Sequence, residues 1–144
     1  MELPNPNLKA VTVLLRATDA LHEAIKKDVA QYGLNPTEFS VLELLYHQGR
    51  QPIQLIGKKV LIASSSITYV IDKLETKAYV VRVACPEDRR VTFVELTSVG
   101  NDLMASIFPK HETTIDKLFQ GMDPSEVKAM IGAIKKIGLQ AQDV

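Results

Sequence analysis

An arginine-bearing turn that leads into an alternating strand constrains the fold of this chain most. Residues 88–97 have the sequence Asp-Arg-Arg-Val-Thr-Phe-Val-Glu-Leu-Thr, and a β-branched run at residues 79–84 precedes them. Two such runs around the polar loop at residues 85–90 predict a β-hairpin with exposed arginines at its tip. We call residues 79–97 the wing. A ribbon of this kind can reach a phosphate backbone or a minor groove, while a neighbouring helix enters a major groove.

Apolar periodicity and capping signals predict helices before and after the wing. Residues 8–32 repeat apolar side chains at spacings of three and four, which predicts a long helix that ends near Gly33. The segment Asn-Pro-Thr-Glu at 35–38 supplies an N-cap, a helix-starting proline and a capping-box acid for a second helix that ends at Gly49. The segment Asp-Pro-Ser-Glu at 123–126 repeats this pattern before the last helix.

Three further helices complete the predicted order of elements. A third helix spans residue 53 to about 60, and its Gly57 allows a neighbouring helix to approach. A fourth helix runs from about residue 64 to 77 with an apolar stripe of Ile67, Val70, Ile71 and Leu74. Thr97 can cap a fifth helix to about residue 120, which Pro109 is expected to bend. The expected fold is mainly α with a small β-hairpin wing (α+β): a winged helix-turn-helix flanked by N- and C-terminal helices.

Composition favours a single domain, residues 1–144, because 46% of the side chains are hydrophobic and can form a substantial core. No stretch approaches the roughly 18 apolar residues of a membrane span, and the N-terminal residues lack the features of a signal peptide. We therefore expect a cytoplasmic protein that does not contact membranes. The single cysteine, Cys85, excludes an internal disulfide and a multi-cysteine zinc site.

Catalysis has little support in the sequence. Its three histidines, His22, His47 and His111, are scattered. There is no His-Glu-x-x-His motif, no glycine-rich phosphate loop and no nucleophile elbow. We expect no enzymatic activity, no metal and no cofactor.

The charge distribution gives modest support to a nucleic-acid partner. The whole chain is formally neutral, with 17 basic and 17 acidic residues. Residues 50–90, however, contain eight Lys and Arg and four Asp and Glu residues, a net charge of +4. The candidate DNA contacts lie on the fourth helix and the wing tip: Ser64, Ser65, Ser66, Thr68, Tyr69, Lys73, Arg89 and Arg90. Asp88 can hold the guanidinium of Arg90 in one orientation while leaving donors free for a groove.

This order of motifs resembles the multiple antibiotic resistance regulator (MarR) family of winged-helix repressors. Residues 88–97 fit the family's wing signature, Asp-x-Arg, five residues, Leu-Thr, and residues 65–75 resemble its recognition helix. The resemblance implies that Arg90 enters the minor groove and that Asp72 pairs with it. The chain departs from the family pattern at three positions: Tyr69 replaces an arginine, Ala78 a glycine and Gly57 an alanine. The tyrosine suggests a different operator preference.

The apolar stripes of the terminal helices predict a homodimer. Residues 34–97 are expected to form a winged DNA-binding lobe, and residues 1–33 and 98–144 a helical dimerisation region. A two-fold dimer would place two reading helices roughly 34–36 Å apart, which matches an inverted repeat in double-stranded DNA.

The resemblance also implies a small aromatic or phenolic effector that binds between the lobe and the dimerisation helices and releases DNA. Residues on the segments that would border such a pocket are Arg16, His22, Phe39, Tyr46 and His111. Two alternatives stay open: a winged helix that binds another protein instead of an operator, and a redox-responsive regulator that uses Cys85. A gel shift would separate the first alternative from the operator-binding interpretation.

Overall fold

A computed structural model describes residues 5–60 and 66–144. Within these ranges the chain forms six α-helices and three strands, which confirms the expected fold class. The elements in chain order are α1 (Pro6–Ala30), α2 (Pro36–Gln48), β1 (Gln51–Pro52), α3 (Ile53–Lys59), α4 (Ile67–Thr76), β2 (Val80–Ala84), β3 (Thr92–Leu96), α5 (Ser98–Leu118) and α6 (Pro124–Gln142). The described part of the chain contains no helix long and apolar enough to cross a membrane.

The sheet is antiparallel, with strand order β1-β3-β2. Strands β2 and β3 form the predicted wing, and Arg82 lies opposite Val94 in their register. The third strand, β1, was not predicted. It consists of two residues only, Gln51 paired with Val94 and Pro52 paired with Phe93, and a segment this short carries no alternating pattern.

The capping signals in the sequence correspond to the observed helix starts. Asn35 accepts a hydrogen bond from the backbone N–H of Glu38, whose carboxylate accepts one from the N–H of Asn35. Asp123 and Glu126 form the same reciprocal pair at the start of α6. Gly49 ends α2 with φ +76°. These caps satisfy backbone donors that a helix start leaves unpaired, which is why they are recognisable locally.

The core lies among α2, α3, α4 and the sheet, and Val29 of α1 and Met104 and Ile107 of α5 are buried in it as well. Its fully buried side chains include Leu42, Ile56, Ile71, Leu74 and Val94. Of the apolar stripe predicted for α4, Val70, Ile71 and Leu74 are buried and Ile67 is partly buried. A Cβ on Gly57 would lie 3.2 Å from Cγ1 of Ile67, so this glycine does allow α3 and α4 to pack closely, as predicted.

Helix α4 ends in a left-handed residue. Ala78 has φ +67°. The N–H of Ala78 donates to the carbonyl of Glu75 (2.9 Å), and that of Tyr79 to the carbonyl of Leu74 (3.0 Å). These two bonds form a Schellman motif, whose left-handed position is usually glycine. Alanine therefore adopts a strained backbone conformation at the junction between α4 and the wing.

The described residues divide into two compact units after His111. The first contains α1 to β3 and most of α5. The second contains the end of α5, a turn at Gly121 with φ +89°, and α6. Helix α6 has no buried residue.

Candidate nucleic-acid interface

One face of α4 is exposed and polar. Thr68, Asp72 and Lys73 are exposed, and Tyr69 is 59% exposed. The Lys73 ammonium lies 5.8 Å from the centre of the Tyr69 ring, within the range of a cation–π contact. The apolar stripe on the other side of α4 is buried, so the sequence orients these polar residues outward.

The structure describes only one residue, Ser66, of the serine cluster at residues 64–66. Ser64 and Ser65 lie outside the described residues. Ser66 is exposed and occupies the N-cap position of α4, but its side chain makes no capping hydrogen bond. Its hydroxyl is therefore not used for capping.

Asp88 holds the side chain of Arg90 at the tip of the wing. Nε of Arg90 donates to Oδ1 of Asp88 (3.1 Å), and Nη2 donates to Oδ2 (3.2 Å). The backbone N–H of Arg90 also donates to Oδ1 (3.0 Å). These side-chain and backbone hydrogen bonds lower the pKa of Asp88 below its usual value, so it stays ionised at neutral pH. The Arg90 side chain is 91% exposed, and both arginines of the tip, Arg89 and Arg90, face solvent.

Two contacts that the sequence did not predict support the wing. Nε2 of Gln54, on α3, donates to the backbone carbonyl of Arg90 (3.1 Å) and so ties the tip to the helical part of the lobe. The guanidinium of Arg50 lies 4.5 Å from the centre of the Phe93 ring on β3. Both contacts join residues 36 or more positions apart, and no local pattern signals them.

The prediction that Asp72 pairs with Arg90 is wrong. Asp72 instead accepts a hydrogen bond from Nη2 of Arg82 (2.6 Å), on strand β2. Nη1 of Arg82 donates to Oε1 of Glu75, one turn further along α4. Arg90 lies at the far end of the hairpin and already pairs with Asp88, whereas Arg82 lies near its base beside α4. We call Arg82, Asp72 and Glu75 the Arg82 cluster.

A second ion pair joins the C-terminal end of α4 to α2. Nζ of Lys77 donates to Oε2 of Glu38 (2.8 Å) and to the carbonyl of Gly33 (3.1 Å). The Glu38 side chain is 3% exposed. Glu38 therefore caps α2 and also binds Lys77, a second role that the capping pattern does not reveal.

A cavity of about 310 Å³ lies next to this lobe, among residues of α1, α2, α3 and α5. Its walls include two of the predicted pocket residues, Phe39 and His111, whose ring centres are 4.5 Å apart. The further polar side chains of the lining are Ser40, Glu43, His47, Gln48 and Lys59.

Asp28 fixes the orientation of His111 in the cavity wall. Oδ2 of Asp28 lies 2.6 Å from Nδ1 of His111, and Asp28 is 2% exposed. Because a buried carboxylate without a donor is costly, the geometry favours a proton on Nδ1. Nε2 of His111 then faces Glu43, whose Oε2 is 4.0 Å away. Asp28 was not predicted as a site residue, since nothing in the sequence links it to position 111.

The other predicted pocket residues lie elsewhere. Arg16 and His22 are exposed on α1 and do not line this cavity. Tyr46 packs against Phe108, with ring centres 6.1 Å apart, and lines a separate open groove with Arg50. These residues lie on helix faces that do not border the cavity. The sequence placed them on the right segments but did not show which face of each helix they would occupy.

A helix with an exposed polar face beside an arginine-tipped wing defines a winged helix-turn-helix protein of the DNA-binding class. The MarR family profile matches residues 34–92. The chain is 48% identical over 136 residues to the HTH-type transcriptional regulator MhqR of Bacillus subtilis (strain 168), with 94% of each chain covered. It therefore belongs to the MarR family, whose members are transcriptional regulators and not enzymes.

Solved structures share this fold. AbsC, a MarR family transcriptional regulator from Streptomyces coelicolor, superposes with a TM-score of 0.87 at 22% identity, covering 100% of this chain and 99% of AbsC. BpsR of Bordetella bronchiseptica, whose DNA binding is regulated by 6-hydroxynicotinic acid, superposes with a TM-score of 0.77 at 25% identity, covering 90% of this chain and 98% of BpsR.

Proposed function

We propose that this protein is a repressor that binds an inverted-repeat operator as a homodimer and leaves it when a small aromatic compound binds. The observation that carries the proposal is the Arg90–Asp88 pair. It presents a guanidinium that is 91% exposed, held in one orientation, on the same lobe as the polar face of α4. Such an arrangement suits simultaneous contact with a minor groove and the adjacent major groove.

Within this proposal the site residues have different roles. Tyr69, Thr68 and Ser66 on α4 contact base edges or nearby phosphates, and Lys73 neutralises a phosphate. Arg90 enters the minor groove, and Arg89 meets the backbone. Ser64 and Ser65, which lie outside the described residues, stay proposed contacts to phosphates or base edges.

The exposed apolar side chains of the terminal helices support a homodimer. In α6, Ile131, Ile134 and Ile137 are 47%, 39% and 49% exposed. In α1, Leu8, Val11 and Leu15 are 55%, 51% and 61% exposed. Repeated apolar side chains on exposed helices are typical of a surface that a partner covers, and a second copy would supply the symmetry that an inverted repeat requires.

The cavity beside His111 supports a small aromatic effector. Phe39 forms part of the wall, and His47, Lys59 and His111 offer nitrogen atoms that could bind a phenolic or carboxylate oxygen. A compound that prefers a spacing of the two lobes that no longer matches successive major grooves weakens DNA binding by its differential affinity, and DNA weakens the binding of the compound equally. Titrations should show that the compound weakens DNA affinity by the same factor by which DNA weakens affinity for the compound. Unequal factors would contradict the linkage.

The DNA part of the proposal is tested by selecting bound genomic fragments, followed by gel shifts with two variants. Arg90→Ala should cost on the order of 1–3 kcal/mol on the selected operator. Arg89→Ala should weaken all sequences evenly and lower the salt slope by about one. Failure of the wild type to select any sequence would favour the protein-binding alternative, and unchanged affinity of Arg90→Ala would contradict the role of the wing.

A further inference from the structure

The Arg82 cluster joins α4 to the wing through polar side chains. Arg82 is the third residue of β2, whose register places it opposite Val94 of β3. Its guanidinium binds Asp72 and Glu75, which lie three residues apart and therefore on one side of α4. The backbone N–H of Arg82 also approaches Oε2 of Glu75 (3.4 Å). One arginine thus contacts α4 at two positions.

We propose that Arg82 is a positioning residue for DNA recognition, which fixes the angle and rotation of α4 relative to the wing without touching DNA itself. The proposal rests on the function proposed above. If α4 and the wing must enter adjacent grooves together, a lobe in which their geometry is already fixed loses less conformational freedom on binding. A fork-shaped guanidinium held by two carboxylates defines such a geometry better than a single contact can.

Because the cluster is solvent-exposed, its effect on operator binding can be separated from its effect on folding stability. The side chains of Arg82, Asp72 and Glu75 are 26%, 58% and 36% exposed. Ion pairs as exposed as these contribute little to folding. The hydrogen bond that Arg82 donates to Asp72, together with the charge of Glu75, nevertheless raises the pKa of Arg82 against the opposing effect of burial. Loss of the cluster should therefore change operator affinity more than it changes the melting temperature.

Substitution of the two acids provides the sharpest test, because electrostatics alone predicts tighter operator binding whereas positioning predicts weaker binding. Asp72 and Glu75 lie on the helix that would face DNA, and their negative charges repel phosphates. Asp72→Asn and Glu75→Gln remove this repulsion, so charge alone predicts tighter binding at low salt. If the cluster positions α4, each variant should instead bind the operator about tenfold more weakly, which equals about 1.4 kcal/mol.

Glu87→Gln is the matched control. Glu87 is an exposed acid of the same wing and does not belong to the cluster, so its neutralisation should leave binding equal or slightly tighter. Arg82→Ala should weaken binding like the acid variants, with the same slope of affinity against salt as the wild type. A residue that contacts phosphate would instead lower this slope by about one.

A double-mutant cycle completes the experiment. In the Arg82→Ala background, Asp72→Asn should cause no further loss, since the contact that it removes is already gone. Stoichiometric titration gives the active fraction of each protein, and the acid variants decide the matter even if Arg82→Ala folds poorly. Acid variants that bind as tightly as the wild type, or more tightly, would overturn the positioning role. A wild type that binds no operator would instead overturn the proposed function.

Discussion

Apolar side chains at helical spacing are buried in the winged lobe (residues 34–97) but exposed in helix α6. In the lobe, Leu42, Ile56, Ile71 and Leu74 are fully buried. In α6, Ile131, Ile134 and Ile137 recur at spacings of three, yet each is at least 39% exposed. Helical periodicity is present in both regions, so periodicity alone does not decide whether a stripe is covered by its own chain.

The difference indicates what each region requires. The core of the lobe is completed by Val29 of α1 and by Met104 and Ile107 of α5, and burial of the opposite faces orients the polar residues of α4 and the wing outward. Helix α6 begins with a complete capping box, which supports the helix locally, but no residue of it is buried. Most helical stability in proteins comes from packing of an amphipathic face. A partner surface for α6 is therefore expected, and a second copy of the chain is the partner that we propose.

Substitution of glycines should give opposite results where α5 packs against the winged lobe and in α6, and this is the largest effect that we expect. A Cβ on Gly100, in the first turn of α5, would lie 2.0 Å from the carbonyl oxygen of Tyr79. Gly100→Ala should therefore destabilise the protein by about 3 kcal/mol, because neither backbone segment can move away cheaply. Chemical denaturation measures the change.

Gly132→Ala in α6 is the matched control, because Gly132 lies on the face of the helix opposite the isoleucine stripe. A Cβ there meets nothing within 4 Å, so the substitution should stabilise the helix by roughly 0.5–1 kcal/mol through its higher helix propensity. Equal effects at the two glycines would show that the packing contrast between the regions is not real.

Charges on the apolar stripe of α6 should dissociate the dimer. Ile134→Asp combined with Ile137→Asp should raise the dimer dissociation constant on the order of a hundredfold, equal to about 2.8 kcal/mol, because two carboxylates of each chain would be buried against apolar side chains. Sedimentation equilibrium should change from twice 15.9 kDa towards a single chain. The charge-matched control, Gln140→Asp with Gln142→Asp, should stay dimeric if the isoleucine stripe forms the interface. A double isoleucine variant that remains fully dimeric would argue against this interface.

The smallest effect concerns the end of α4. Ala78 has φ +67°, a conformation that glycine adopts without steric cost, so Ala78→Gly should stabilise the lobe by about 1 kcal/mol. Gly33→Ala is the reverse control, since Gly33 has φ +74° and open space around it, and it should destabilise the protein by a similar amount. Thermal denaturation measures both changes, and destabilisation by Ala78→Gly would contradict the strain at this junction.

Features that depend on neighbouring residues could be predicted from the sequence. The capping boxes at Asn35 and Asp123 need only residues three positions apart, and both are present. The Asp88–Arg90 pair is similarly local. The wing followed from two β-branched runs, although its third strand, two residues long, gave no signal.

Features that depend on which distant residues become neighbours could not be predicted. The partner of Asp72 is set by the hairpin register and by where β2 passes α4, so Arg82 was missed in favour of Arg90. Asp28 and His111 are 83 positions apart and meet only because α1 and α5 are both in place. The positions of Arg16 and His22 outside the cavity depend in the same way on helix rotation.

The central claim, that two copies of one rigid lobe contact DNA through α4 and the wing, is tested most directly by hydroxyl-radical footprinting on the selected operator. The account predicts two symmetric protected regions whose centres lie one helical turn, roughly 34–36 Å, or a multiple of it apart. Each should have minor-groove protection at its outer edge that disappears with Arg90→Ala. A single protected region, or edge protection that survives Arg90→Ala, would contradict it.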